Sequence, residues 1–579
     1  MAIKYTSPYG VSSFKNFNKL NRAFVDKTEF INVIDKLDTP YPVLLRPRRF
    51  GKTTFVQMLD YFYDISKKDQ YDEVFRGTKI IEKNLPSHNT YHVLNLEFSE
   101  IYGNTSAQLV EGFTSNIIDS ITDFIDRYPE VKFEVDEYKN KTPSALINAF
   151  FTSCKIAFKG KQDLYVIIDE YDNFANEILS KNRDLFKEIT NANGFLKAFY
   201  KAIKKHTTKV IAKTFITGVS SVSLDSLTSG FNIAKNVTCD PRLNEFAGFT
   251  KDELIGLIEK LVDTKALNTT AENIAEIMRQ AYNGYAFCPE AKHTLFNSSM
   301  CLNYIDYISL KKTIETPDRV LDPACAFDKS KVADIISFTP KNVLKLVASE
   351  FETTGEIVIS ELAQSINLNQ LDRYDLQTSL SVLYYLGYLT IKNDGIGSRV
   401  CLTYPNKMMK YMFELCFINA LIPKIEDDEN CIFDITSMLR GNPDLKGFID
   451  SVTEYLSLRI TNQHLLGFNE NTIKVLVRAK LEDLKMLSVN TEQKLTVPMV
   501  GEKFADLVVD NQKGTYYLFE FKYFSKAKAQ QHPNILQEKI DEATEQINCY
   551  KKALEFEGKT VYSYIAIFES INCVHFEQV

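Results

Sequence analysis

Leu518-Phe519-Glu520-Phe521-Lys522, with Asp506 fourteen residues ahead of Glu520, is the stretch on which the reading of this chain turns. "FADLVVD" and "YYLFEFKYF" each read as a strand, and the Gly-containing "NQKGT" between them reads as a hairpin turn. Side chains alternate along a strand, so Glu520 and Lys522 share one face and Phe521 takes the other. Two carboxylates at this separation, Asp506 and Glu520, can reach one Mg²⁺, a hard cation that takes oxygen ligands and keeps several waters. The Lys522 ammonium would then stand beside the metal-bound water, the arrangement of a minimal metal-dependent phosphodiester-cleaving site. Taken alone, a charged E-x-K is the solvent face of an amphipathic strand. Its setting among Tyr516, Tyr517, Leu518, Phe519, Phe521, Tyr523 and Phe524 predicts a buried strand, where a carboxylate needs a partner or a metal. Further on, "DEATEQINCYKKAL" predicts a helix with Gln546 and Tyr550 on one face at i, i+4.

These residues resemble a PD-(D/E)xK nuclease-like domain of the kind that closes bacterial AAA-ATPase-like proteins, in which Gly-x-x-x-x-Asp precedes Glu-x-Lys and a helix bearing Gln and Tyr follows. Gly501 to Asp506, Glu520, Lys522, Gln546 and Tyr550 fall on that pattern. The resemblance implies catalytic roles for Asp506, Glu520, Lys522 and Gln546, with Asp506 and Glu520 as metal ligands. One departure stands out. Relatives often carry an acidic residue shortly before the glycine and an arginine just before the aspartate, where this chain has Pro498, Met499 and Phe504. A missing carboxylate weakens metal binding, so the pattern speaks more firmly for fold than for activity.

In the N-terminal half, "YPVLLRPRRFGKTTFVQML" reads as an apolar strand, a turn and an amphipathic helix, with Gly51-Lys52-Thr53 at the junction where a P-loop sits. Gly51 permits close backbone approach to phosphate, Lys52 neutralises β/γ-phosphate charge and Thr53 can ligate Mg²⁺, while the helix N-terminus offers free N–H groups. Arg46 occupies the position of the first P-loop glycine. "DLYVIIDEYDNF" then supplies an apolar run ending in Asp169-Glu170: Asp169 to hold Mg²⁺ through water and Glu170 to polarise the attacking water. "KVIAKTFITGVSS" gives another apolar strand ending at Thr217, a candidate γ-phosphate sensor. Arg46, Arg49, Gly51, Lys52, Thr53, Thr54, Asp169 and Thr217 are the expected nucleotide-binding set.

"FVDKTEFI", "RPRRFGKTT", "IDEYD", "FITGVS", "GFTKDEL", "YNGYAF", "LGYLTI" and "YPN" resemble the signature blocks of the same AAA-ATPase-like proteins, nearly end to end. In that family arginine replaces the first P-loop glycine, so Arg46 is expected there. The tyrosine-rich block (residues 282–287) reads as packing at the end of the ATPase domain.

A chain of 579 residues is too long for one core and suggests about three domains. We expect a P-loop ATPase domain over 1–287, a helical winged-helix-like region over 288–428 and the nuclease-like α/β domain over 429–579, with the last boundary in the acidic "IEDDEN" (425–430). The middle region reads as helices followed by a hairpin about a Gly-rich turn, either a DNA-binding module or a lever packed on the nucleotide domain. With 45% hydrophobic and 25% charged residues the composition is that of an ordinary globular protein. No apolar run approaches a membrane span and the first twenty residues lack a signal-peptide core, which predicts a cytoplasmic protein. Ten cysteines without a C-x-x-C pair and seven scattered histidines argue against a zinc mechanism or a disulfide framework. A net charge of −7 does not advertise nucleic-acid binding, but a local basic groove suffices, from Lys522, Lys526 and Lys528 before the "QQHPN" loop, or from Arg46, Arg48 and Arg49.

The sequence therefore points to an α/β protein using ATP and Mg²⁺, a P-loop ATPase joined to a Mg²⁺-dependent nuclease acting on nucleic acid, with DNA favoured, no membrane and homo-oligomerisation left open. The alternative is a nucleotide-dependent switch or scaffold whose nuclease-like domain binds nucleic acid or a protein without cutting.

Overall fold

The computed structural model describes residues 5–11, 13–99, 101–173, 178, 185, 188–189, 194–221, 230–315, 317, 351, 354–363, 376–392, 399–410, 412–413, 445–459, 469–482, 487–511 and 513–579. The described residues up to Lys410 form one compact unit, and those from Met412 onward form a second. The expected boundary at 425–430 and the expected helices between 333 and 350 lie outside the described residues.

The first unit is built on a five-stranded parallel sheet of β1 (Pro42–Leu45), β2 (His92–Glu97), β3 (Leu164–Asp169), β4 (Ile211–Gly218) and β5 (Lys235–Asn236), in the order β2-β3-β4-β1-β5. Every residue of β1 and β3 is buried, which is why both read as unbroken apolar runs: helices cover both faces of a parallel sheet. β4 lies between the P-loop strand β1 and β3, so the C-terminal ends of all three arrive side by side. Helix Lys52–Tyr63 leaves β1 at once, with Gly51 as its N-cap at φ +93°, a left-handed conformation that glycine adopts without strain.

The middle region contributes β6 (Glu356–Ile359), helix Leu376–Tyr385, β7 (Thr390–Lys392) and β8 (Val400–Thr403). Its three strands form an antiparallel sheet in the order β6-β8-β7, a helix followed by a hairpin wing as expected.

Contacts among the quoted blocks tie several of them to one another. Lys27 Nζ of "FVDKTEFI" lies 2.7 Å from both carboxylate oxygens of Glu253 in "GFTKDEL". The same Glu253 closes a capping box with Thr250 at the start of helix Lys251–Leu261. Gly284 of "YNGYAF" lies so close to the Pro405 carbonyl that a Cβ there would fall 1.7 Å from its oxygen, and Asn406 donates its side-chain amide to the Asn283 carbonyl at 2.8 Å. Thr390 Oγ1 of "LGYLTI" accepts from the Ala286 N–H at 2.7 Å. The tyrosine-rich block is therefore a packing junction.

The second unit holds a five-stranded sheet of β9 (Ser488–Val497), β10 (Gly501–Asp510), β11 (Thr515–Phe524), β12 (Thr560–Glu569) and β13 (Asn572–Gln578), in the order β13-β12-β11-β10-β9. β11 and β12 run parallel and are joined through helix Ile535–Tyr550, while the other neighbours are antiparallel. That helix covers one face, packing Ala543, Ile547 and Tyr550 against Val508, Leu518 and Ile565. On the other face, Phe448 and Val452 of helix Lys446–Arg459 and Ile473 and Val477 of helix Glu470–Glu482 pack against Phe519 and Phe521. The crossover helix starts at Ile535, earlier than the sequence suggests, and ends at Tyr550. The lysines ahead of it form a short helix, Lys526–Gln531, where a loop is expected after Lys528: Ser525 Oγ accepts from the Lys528 N–H and caps it.

Candidate functional site

Two sites emerge, one in each unit. At the first, the loop from Arg46 to Gly51 joins a fully buried strand to a helix, and residues 48–54 line a cavity of about 530 Å³. That volume lies within the roughly 300–1,000 Å³ usual for small-molecule sites. Lys52, Thr53 and Thr54 at the helix start, Arg48 and Arg49 in the loop, and Glu170 after β3 all line it.

The side chains behind this wall are tightly tied. Thr53 donates to the Asp169 carboxylate, which also accepts from the Glu170 N–H at 2.8 Å. Burial pushes the Asp169 carboxyl up to about 6, held back by the Lys52 charge and pushed further by Glu170. Burial likewise lowers Lys52, whose Nζ donates to the Pro47 carbonyl at 3.1 Å while Glu170 and Asp169 oppose the shift. Glu170 adopts φ +50°, a left-handed turn that carries its carboxylate off the sheet and to the cavity wall. Asp172 then fastens β3 to β4, accepting from the Val219 and Ser220 N–H groups at 3.0 and 2.7 Å. Gly218 leaves room for this clasp, since a Cβ there would lie 2.3 Å from Asp172 Oδ1.

Two expected nucleotide ligands need correction. Arg46 is 1% exposed and does not line the cavity: its guanidinium donates to the carbonyls of Leu45, Thr238 and Leu243 at 2.8, 2.9 and 2.7 Å and stacks on Phe287 at 4.1 Å. Its bulk where a P-loop glycine is usual is accommodated by turning away from the phosphate side. Thr217 Oγ1 donates to the Leu44 carbonyl at 2.7 Å, so this hydroxyl ties β4 to β1 inside the sheet and is spent.

At the second site, β10 and β11 pair only from Leu507 against Phe519 to Asp510 against Tyr516. Beyond that point β10 departs, and Asp506 Oδ2 accepts from the Phe521 N–H at 2.9 Å in place of a backbone partner. Into this opening face Glu520, 2% exposed, and Lys522, whose Nζ lies 2.8 Å from Glu520 Oε1 and 3.5 Å from Glu542 Oε1. Burial first, then the Asp506 charge, pushes the Glu520 carboxyl up to about 7 against the pull of Lys522. Tyr550, on the crossover helix, is raised by burial and then by the Glu520 and Asp506 charges.

Lys474, on helix Glu470–Glu482, escaped the reading of the sequence. Its Nζ lies 2.5 Å from Asp506 Oδ1 and 3.1 Å from Glu470 Oε1. Locally, Glu470 and Lys474 look like any i, i+4 surface pair, so only the tertiary packing of that helix could have shown their target.

The donors fit a hard divalent cation. Glu520 Oε2 and Gln546 Oε1 are buried oxygens without a hydrogen-bond partner among the described residues, an arrangement that costs free energy unless a cation or donor completes it. Among the described residues no three His, Cys, Asp or Glu side chains converge, so protein carboxylates alone would not fill the coordination shell.

Residues 8–228 match the family described as predicted AAA-ATPase, and residues 469–578 match the PD-(D/E)XK nuclease superfamily. The chain joins an AAA-ATPase-like domain to a PD-(D/E)XK nuclease-superfamily domain. A protein of Azotobacter chroococcum mcd 1, described as an uncharacterized protein in the vnfD 5' region, is 23% identical over 429 residues, covering 72% of this chain and 70% of its own length. No described helix is long and apolar enough to cross a membrane.

Proposed function

We propose that this protein binds and hydrolyses ATP at the P-loop cavity and cuts nucleic-acid phosphodiester bonds, DNA foremost, at a Mg²⁺-dependent site on β10 and β11. One observation carries the second half: Glu520 is buried with Oε2 unpartnered, while its other oxygen is paired with Lys522 and the Asp506 charge acts on it. Asp506 and Glu520 would hold the metal, which supplies Lewis-acid polarisation of the scissile phosphate when bound. Lys522, kept cationic by Glu520 despite burial, would hold the attacking water and steady charge building on phosphorus. In the first unit, Lys52 would face the β/γ-phosphates, Thr53 and Asp169 would hold Mg²⁺, Glu170 would orient the attacking water, and Arg49 and Thr54 would line the phosphates.

Contact between the P-loop and the middle region supports a lever there: Gly387 lies against Pro47, and Tyr384 donates to the Phe287 carbonyl at 3.3 Å beside Arg46. A protein that binds without cutting is favoured by one feature, the Lys474 ammonium on Asp506. Purified protein incubated with linear, circular and single-stranded DNA and with RNA, with and without ATP and Mn²⁺, separates the two. Metal-dependent products support the nuclease; retention of nucleic acid without products under every condition supports the scaffold.

A further inference from the structure

Asp506 differs from its neighbours at the second site in having both oxygens engaged, Oδ2 by the Phe521 N–H and Oδ1 by the Lys474 ammonium. Glu520 keeps one oxygen without a partner, as does Gln546. Negative charge at the site is thus answered by two ammonium groups, Lys522 on Glu520 and Lys474 on Asp506. A divalent cation held by Asp506 and Glu520 would compete with the Lys474 ammonium for the Asp506 carboxylate. Two like charges cannot share one carboxylate oxygen without repulsion, and the Lys474–Asp506 pair, with side chains 14% and 12% exposed, is only partly screened by water.

We propose that Lys474 is a built-in counter-ion of the nuclease-like site, and that divalent metal is bound by exchange, displacing the Lys474 ammonium from Asp506. The inference rests on the metal-site reading given above and goes beyond it by assigning a residue that sets metal affinity without being a ligand. Glu470 makes the exchange feasible. It lies one helical turn before Lys474 and holds the same ammonium at 3.1 Å, so a displaced Lys474 keeps an anionic partner within its own helix. The exchange also explains how Asp506 and Glu520 are stabilised side by side in the absence of metal: Lys474 and Lys522 supply positive charge to one carboxylate each.

The test is a calorimetric Mn²⁺ titration of the full-length protein without nucleotide, comparing wild type, Lys474→Met, Lys474→Arg and, as the blank for other Mn²⁺ sites, Glu520→Gln. Lys474→Met keeps the length and apolar stem and removes the charge. It should bind Mn²⁺ at the Glu520-dependent site at least tenfold more tightly than wild type, while Lys474→Arg stays near wild type. Thermal unfolding provides a second reading. Lys474→Met should melt lower than wild type without metal and gain more from Mn²⁺, because a ligand at free concentration L stabilises the folded state by RT ln(1 + L/Kd), which grows as Kd falls. Equal or weaker Mn²⁺ binding by Lys474→Met overturns the proposal and makes Lys474 a strut for Asp506. Absence of any Glu520-dependent Mn²⁺ binding in wild type and Lys474→Met alike removes the metal site itself, and the exchange with it.

Discussion

Gly387 of the middle region lies against Pro47 of the P-loop so closely that a Cβ added at 387 would fall 2.8 Å from Pro47 Cβ, at a backbone φ of +86°. The nucleotide loop thus has the winged-helix-like region as its back wall. Gly387→Ala should therefore act on two levels, through left-handed backbone strain and through displacement of Pro47. We expect a loss of stability on the order of 1–3 kcal/mol in denaturant unfolding, together with weakened ATP binding. Unchanged ATP affinity in a destabilised Gly387→Ala protein would mean that the contact is packing without consequence for the nucleotide.

Lys52→Ala and Glu170→Gln should fail differently. Lys52 is a buried charge lining the cavity, so its loss should abolish nucleotide binding with the fold retained. Glu170→Gln keeps shape and hydrogen bonding, so ATP should still bind while turnover falls by roughly two or more orders of magnitude, as when a general base is removed. Equilibrium binding of a fluorescent ATP analogue beside phosphate release distinguishes them. Matching hydrolysis rates in wild type and both variants would contradict the assignment.

Arg46→Met tests the corrected role of that residue. Three buried carbonyls lose their donor, which should cost about 2–4 kcal/mol in urea unfolding. The folded fraction should bind ATP nearly as well as wild type, because the guanidinium faces away from the cavity. Normal stability with lost ATP binding would put Arg46 back at the phosphates.

Much of this was legible locally. Apolar runs ending in Asp169 and in the P-loop, and the strand-turn-strand around Glu520, follow from neighbouring residues alone. Arg46 was misread because two of its acceptors, Thr238 and Leu243, lie 192 and 197 residues away, and a local motif cannot say which way a long side chain turns. Thr217 was misread for a related reason: the end of a strand reads the same whether its hydroxyl faces a ligand or the next strand. Lys474 stayed hidden inside an ordinary Glu-Lys helix pair. The crossover helix began early because the chain after Pro533 needs only Asn534 to enter it, a start that "QQHPN" disguises as loop.

Acid should loosen the first unit through His206, which ends helix Phe195–His206 and meets Asn148 of helix Pro143–Ala157 at 3.2 Å. Burial first, then Lys209, Lys205 and Lys155, lowers it to about 4. The folded value lies below the unfolded value of about 6.5, so the unfolded chain gains a proton first. The stability His206 confers is complete above pH 6.5 and drains away as pH falls towards 4. In thermal melts between pH 7 and 5, His206→Gln should lose less stability than wild type. Parallel pH profiles for the two proteins would exclude His206 as the cause.

The central claim is that Asp506, Glu520 and Lys522 form a working metal-dependent nuclease site. It is tested most directly by following cleavage of DNA in Mn²⁺ by wild type, Glu520→Gln and Lys522→Ala, with ATP hydrolysis as the control for folding. The account predicts Mn²⁺-dependent cleavage by wild type and none by either variant, with all three hydrolysing ATP alike. Glu520→Gln should also lose Mn²⁺ binding, whereas Lys522→Ala should keep it, since an ammonium is no ligand for a hard cation. Cleavage by Glu520→Gln at the wild-type rate would contradict the account and place the cutting site elsewhere on the chain.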